Sequence, residues 1–364
     1  MSTNVLMSSR LQDSLGFIEL RAEVQRDITA KFATAVCATK DLVCDQALKE
    51  EIGMSEENGG AIAILTDARH GCRRNAKDTN VVSIGNQTHK VLREEHVTRE
   101  DDAITQRHEL LGTRRLYDYF DSDISSIGGP VRINIHAHDR NASLNKFIRE
   151  ERPETINQND TWHAAKSVEK EISKVGKGSR KNHGVTWHEQ LSDKVHSIRT
   201  HVQFAIRNCD HDADILREKV DNIVYHYKNI HDRCSAESRC RVDGNYEPSK
   251  LILTSPVAEK LLMDALHQTV VYKSPQDYIY AMDTFYVESF NNTLNMFHDK
   301  RIFFGDDSYR MRTALAICHW NENVDRRATG TYQYPDGKTK RILSKRTFQY
   351  REEIWRMFLD SLKQ

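Results

Sequence analysis

The feature that most constrains this chain is a change of period at Asp139. Between Ala61 and Asp139 the apolar residues come in short runs bounded by glycine and turn residues, whereas beyond it they recur at helical spacing. The run AIAILTD (61–67) follows Gly59-Gly60 and is too short for a helix, so it predicts a buried strand ending at Asp67. TNVVSI (79–84), a turn at Gly85-Asn86-Gln87 and THKVLREEHV (88–97) predict an antiparallel hairpin. Leu110, Leu111, Leu116, Tyr117 and Phe120 then predict a helix over 104–120 with Asp101-Asp102 as its cap. VRINIHAHD (131–139) reads as a further strand closing on Asp139. The order is strand, strand, strand, helix, strand, preceded by helical runs over 15–32 and to Ile52. Helices follow near 143–150, 162–175, 187–206, 212–231, 256–272, 276–298 and 308–323.

Composition narrows the class. A length of 364 residues allows one large domain with an insertion or two ordinary domains, and excludes a lone recognition module. No apolar run approaches the roughly 18 residues of a bilayer span, and the N-terminal residues carry no basic region followed by an apolar core. An intracellular protein is expected, in which the Asn-x-Ser/Thr matches at Asn86, Asn141, Asn159 and Asn291 carry no weight. Seven cysteines then argue for thiols or a metal site rather than a disulfide framework. The 53 Lys/Arg and 53 Asp/Glu cancel, but unevenly: residues 1–60 hold 6 basic against 10 acidic, and residues 299–364 hold 14 against 9. A basic end can track phosphates even on a neutral chain.

Asp67 and Asp139 close two predicted strands, and Glu288 lies in the predicted helix containing DTFYVESFNN. Three carboxylates so distributed supply the hard oxygen ligands that divalent cations need for phosphoryl transfer. Seventy-one residues separate Asp67 from Asp139, room for the hairpin and one helix, and 148 separate Asp139 from Glu288.

Several strings occur in order along residues 60–327: TDARHG at Asp67, THKVLREEHVTREDD, HAHDRNASLNKFI at Asp139, NDTWHAAK (159–166) and YVESFNNTLNMFHDKR (286–301). With them the chain resembles eukaryotic DDE/DDD cut-and-paste transposases and the transposon-derived proteins descended from them, the Asp-x-Trp-His string pointing to a Kolobok-like lineage. The resemblance implies an α/β fold with an RNase H-like core, a mixed five-stranded sheet with helices, interrupted by a helical insertion. It implies an N-terminal helical segment (1–58), a first part of the core (59–166), the insertion (167–275), the core's C-terminal helices (276–327) and a basic C-terminal tail (328–364). Asp67, Asp139 and Glu288 would be the catalytic triad and hold Mg2+ or Mn2+. The implied activity is DNA strand cleavage and strand transfer on double-stranded DNA, transposon ends and target, by a homo-oligomer in the nucleus and with no membrane. The alternative is a domesticated, catalytically inactive DNA- or chromatin-binding protein.

Further residues attach to this reading. Trp162, His163 and Lys166 are candidate DNA contacts: tryptophan can stack on an unpaired base, and a His or Asp just beyond the second catalytic aspartate could orient a phosphate. The other reading of Trp162 is a core anchor at a helix start. Cys209, His226, His231 and Cys234 have the spacing Cys-x16-His-x4-His-x2-Cys, with both histidines on one predicted helix and Cys240 spare, compatible with structural Zn2+. Strand alternation puts His136 and His138 on the face opposite Asp139, as packing residues. Cys72 has no paired base and is not expected to be a nucleophile.

Overall fold

The computed structural model describes residues 22–71, 77–177, 186–299, 302 and 304–363. Cys72, Gly178 and the first part of the predicted N-terminal helix lie outside the described residues. The first described element is a 33-residue helix, α1 (Ala22–Met54). Strands β1 (Ile62–His70), β2 (Asp78–Gly85) and β3 (Val91–Thr98) follow, then helix α2 (His108–Asp121), strand β4 (Ile133–His138), helix α3 (Ala142–Glu151) and strand β5 (Ile156–Asn159). They form a mixed α/β unit whose sheet order is β3-β2-β1-β4-β5. β2 runs antiparallel to β1 and β3, while β4 runs parallel to β1 and β5.

Both faces of this sheet are covered, and for that reason its strands read as continuous apolar runs rather than alternating ones. Ile62, Ile64 and Val81 pack with Leu116 and Phe120 of α2 and Phe147 and Ile148 of α3. Leu65, Val82 and Ala137 pack on the other face with helices α10 (Phe285–Phe297) and α11 (Asp306–Asn323), through Val287, Phe290, Leu294 and Ile317. Gly112 lets α2 approach closely, since a Cβ there would lie 2.4 Å from Val81 Cγ2. The fully buried Glu51 of α1 accepts the Gln87 and Thr88 amides at 2.9 and 2.8 Å and fixes the β2–β3 turn.

Between β5 and α10 lies a helical unit with its own core. It comprises α4 (Thr161–Gly176), α5 (Val195–Arg207), α6 (Ala213–Tyr227), α7 (Arg239–Val242), α8 (Pro256–His267) and α9 (Val270–Lys273). Val168, Ile198, Val202, Val220, Val224 and Leu262 make its centre, and its buried residues run from Ala164 to Tyr278, three residues beyond each expected boundary. β5 closes its neck with side-chain amides. Asn157 Nδ2 donates to Asp277 Oδ1 at 3.1 Å, Gln158 Nε2 to the Gln276 carbonyl at 2.8 Å, and Gln158 Oε1 accepts the Tyr280 amide at 3.0 Å.

Several local expectations need correction. β1 runs three residues past Asp67. The helix expected from 104 begins as a 3-10 turn, and Asp101 and Asp102 bind the Thr98 and Ile104 amides instead of capping it. The helix expected to reach His231 ends at Tyr227, because Asn229 turns left-handed at φ 61. The basic C-terminal segment 328–364 needs no such correction: its turn-rich part holds an exposed ribbon, β6 (Ala328–Gln333) and β7 (Thr339–Leu343), and REEIWRMFLDS lies in α12 (Tyr350–Ser361), which packs on α1 through Tyr350 and Ile354. Among the described residues no helix is long and apolar enough to cross a membrane.

Candidate active site

Parallel pairing brings the two aspartates together. Thr66 of β1 lies opposite His138 of β4, so Asp67, inside β1, and Asp139, just past the end of β4, sit side by side on neighbouring strands. Asp67 Oδ1 accepts the Ala68 amide at 2.8 Å and Oδ2 accepts Asn291 Nδ2 at 2.9 Å. Asn291 lies three residues after Glu288 on α10, so both polar groups share a helix face. The apolar residues Val287, Phe290 and Leu294 seat that helix on the sheet.

Asp139 is held from the far side of the insertion. Its Oδ1 accepts Thr284 Oγ1 at 3.2 Å. Thr284 is buried; its amide donates to Asp160 Oδ2 at 2.7 Å, and its one hydroxyl hydrogen is shared between Asp160 Oδ2 at 2.8 Å and Asp139. Asp160, also buried, caps α4 by accepting the His163 amide at 2.6 Å and faces the His163 ring Nδ1 at 3.1 Å. The imidazole of His163 then stands between two carboxylates, with Nδ1 3.5 Å from Asp139 Oδ1 and Nε2 3.8 Å from Glu288 Oε1. Asp139, Glu288 and His163 thus share one mouth, and Asp160 positions Thr284 and His163.

A further carboxylate joins them. Glu109, in the first turn of α2, accepts Asn141 Nδ2 at 2.7 Å through Oε2, while its buried Oε1 has no hydrogen-bond partner. Nothing in its spacing separates it from the other 52 acidic residues. Burial raises Glu109 above the usual range; the Asn141 amide opposes the shift and Asp139 adds to it. Asp67 goes up to about 7, chiefly through burial, then through the fields of Asp139, Glu109 and Glu288 against the Ala68 amide. Among the described residues no Lys or Arg forms an ion pair with Asp67, Glu109, Asp139 or Glu288. Among the described residues the cluster is therefore rich in negative charge and oxygen donors, the chemistry that suits a hard divalent cation.

Two groups among the described residues bring three or more possible metal-ligand atoms within 4.8 Å of one another: Asp139, Asp160 and His163, and His226, His231, Cys234 and Cys240. The set Asp67, Asp139 and Glu288 is not so tight. Carboxylates serving two ions about 3.5–4 Å apart span more than the ligands of a single ion do.

The remaining sequence candidates are placed as follows. Trp162 is 39% exposed, which removes the core-anchor reading, and Lys166 Nζ lies 3.0 Å from its ring centroid. A cleft of about 500 Å³ opens beside it, lined by Arg140, Arg149, Asp160, His163, Ser167 and Tyr278 among others. Cys209 is away from the histidines, buried in the insertion's core with its thiol within reach of the Ile206 and Ile279 carbonyls at 3.2 and 3.5 Å, either of which can accept its one hydrogen. His136 and His138 are fully buried: His136 meets Thr66 Oγ1 at 2.7 Å and Tyr117 OH at 3.2 Å, and His138 meets Asn157 Oδ1 at 3.0 Å and the Asp139 carbonyl.

No protein-family model, curated protein or solved structure matches this chain.

Proposed function

We propose that the chain has an RNase H-like core of the transposase type and cuts and joins DNA strands by metal-dependent phosphoryl transfer at Asp67, Asp139 and Glu288. The observation that carries this reading is the pair of aspartates on adjacent parallel central strands, faced by a glutamate from a later helix, with no ion pair to a Lys or Arg among the described residues. The sheet order β3-β2-β1-β4-β5 with β2 antiparallel supports it, as does the helical unit between β5 and α10.

Mg2+ or Mn2+ would be held by Asp67, Asp139 and Glu288, and when bound would stabilise charge on the attacking and leaving oxygens of a phosphodiester. The chain's own residues do the positioning. Asn291 orients Asp67, and Thr284, fixed by Asp160, orients Asp139. His163 stands at the entrance with Nε2 toward Glu288. The exposed Trp162, with Lys166 over its ring, offers an unpaired base a stacking face, and exposed Arg140 offers a phosphate a charge. The DNA partner, oligomerisation on DNA and a nuclear location follow from this reading.

The test is a nicking assay on DNA carrying the gene's flanking sequences, comparing wild type with Asp139→Asn in Mg2+ and in chelator. Cleavage by wild type alone, abolished by chelator, is the expected result. Equal cleavage by both proteins rejects the assignment. Salt-sensitive binding with no cleavage by either favours the domesticated DNA-binding alternative.

A further inference from the structure

The turn that ends α6 at Tyr227 leads into a segment with no apolar core of its own. Between Tyr227 and Leu253 no apolar side chain is buried, and Ile230, Val242, Leu251 and Ile252 are exposed. Its regular structure is the single turn α7. Its ties are polar and aromatic rather than apolar: Lys228 Nζ donates to Glu259 Oε1 at 2.8 Å, Arg233 lies 5.2 Å over the Tyr225 ring, His231 meets Tyr246 edge-on, Arg241 reaches the Asp232 and Cys234 carbonyls at 3.4 and 3.1 Å, and the Leu251 and Leu253 amides meet Asp193 and the Tyr227 carbonyl at 2.8 Å each. A polar segment with no buried apolar side chain is one that a metal cross-link would order by closing its loop.

Four soft or borderline donors converge there. His226 comes from the last turn of α6, His231 from the loop after the left-handed Asn229, Cys234 from the following turn and Cys240 from α7. One ligand atom from each lies within 4.8 Å of the other three. Cys234 Sγ is 3.6 Å from His226 Nδ1 and 3.7 Å from His231 Nδ1. A tetrahedral zinc with Zn–S of about 2.3 Å and Zn–N of about 2.0–2.1 Å sets its sulfur and nitrogen ligands about 3.6 Å apart, so both separations match edges of that polyhedron. Outer contacts are present too. Asn222 Nδ2, one turn before His226, donates to Cys234 Sγ at 3.4 Å, and Ser238 Oγ lies 3.2 Å from Cys240 Sγ. A cleft of about 280 Å³ reaches Cys234 and Cys240 and provides an entry path.

We propose that His226, His231, Cys234 and Cys240 form a structural zinc site that ties residues 228–252 to the end of α6. Cys240 takes the place that sequence spacing gives to Cys209. The site is independent of the carboxylate cluster and stands whether or not the chain cleaves DNA.

The test uses the full chain expressed with zinc and purified without chelator. Metal analysis should find about one zinc per chain in wild type and in Cys209→Ser, and none in Cys234→Ser or Cys240→Ser. Retention of zinc by Cys240→Ser, or its absence from wild type after reconstitution, overturns the proposal. Two measurements on wild type keep it falsifiable if those variants fail to fold. Co2+ exchanged into the protein should show the intense visible bands of a four-coordinate ion together with thiolate charge transfer, and octahedral bands overturn the assignment. Alkylation followed by peptide mass analysis should show Cys234 and Cys240 protected until chelator is added. A Cys234–Cys240 disulfide in protein kept under reductant also overturns it.

Discussion

Asp67 should make the metal-free protein less stable than it would be without that charge, and Asp67→Asn measures this. The carboxyl has an ordinary value of 3.8 and stands at about 7 in the fold. The folded state therefore binds more protons than the unfolded chain between those values, and stability falls as pH rises through that window. The interval corresponds to a ceiling of about 4 kcal/mol, and because Asp67 is half-buried rather than sealed, hydration leaves about half of it. Asparagine keeps the shape but gives up one of the two acceptors that meet Ala68 and Asn291, at a cost of about 1 kcal/mol. In chelator, Asp67→Asn should be more stable than wild type by about 1 kcal/mol at pH 8, a rise in Tm of about 1–2 °C. At pH 4 it should be less stable by about 1 kcal/mol. Adding Mn2+ at pH 8 should raise the Tm of wild type but not of the variant, closing the gap. The assay is scanning calorimetry at several pH values with and without metal. A difference between the two proteins that stays constant from pH 4 to 8 would refute the electrostatic reasoning.

Two further substitutions test the scaffold that places this site. Gly112→Ala puts a methyl 2.4 Å from Val81 Cγ2 and should destabilise by about 1–3 kcal/mol despite alanine's better helix propensity, read from denaturant midpoints. Glu51→Ala strands the Gln87 and Thr88 amides and should cost about 2–4 kcal/mol in the same titration; a change below about 0.5 kcal/mol would show that the turn holds without it.

The sheet was legible where burial on both faces leaves an apolar run, as in AIAIL and NVVSI. β5 was not, because its sequence INQN is polar. Asn157, Gln158 and Asn159 are buried nonetheless, with Asn157 and Gln158 pairing through their amides to residues across the insertion, a pairing that no local pattern announces. Asp67, Asp139 and Glu288 could be singled out through strand edges and motif strings. Glu109 and Thr284 could not, since each owes its place to packing across the fold. Asn141 and Asn291 lie inside the motif strings but carried no role of their own in sequence, yet each orients a site carboxylate. The choice of Cys209 over Cys240 failed for a related reason: spacing counts residues, but α6 separates Cys209 before its first turn from His226 in its last, while the left-handed turn at Asn229 brings the later thiols back to His226.

The most direct test of the central claim is anomalous diffraction from crystals soaked in Mn2+. The expected map has a manganese peak bonded by oxygens of both Asp67 and Asp139 at about 2.2 Å, absent from crystals of Asp67→Asn. Manganese confined to Asp139, Asp160 and His163, or an unchanged peak in Asp67→Asn, would contradict the assignment of Asp67 as a ligand and with it the proposed chemistry.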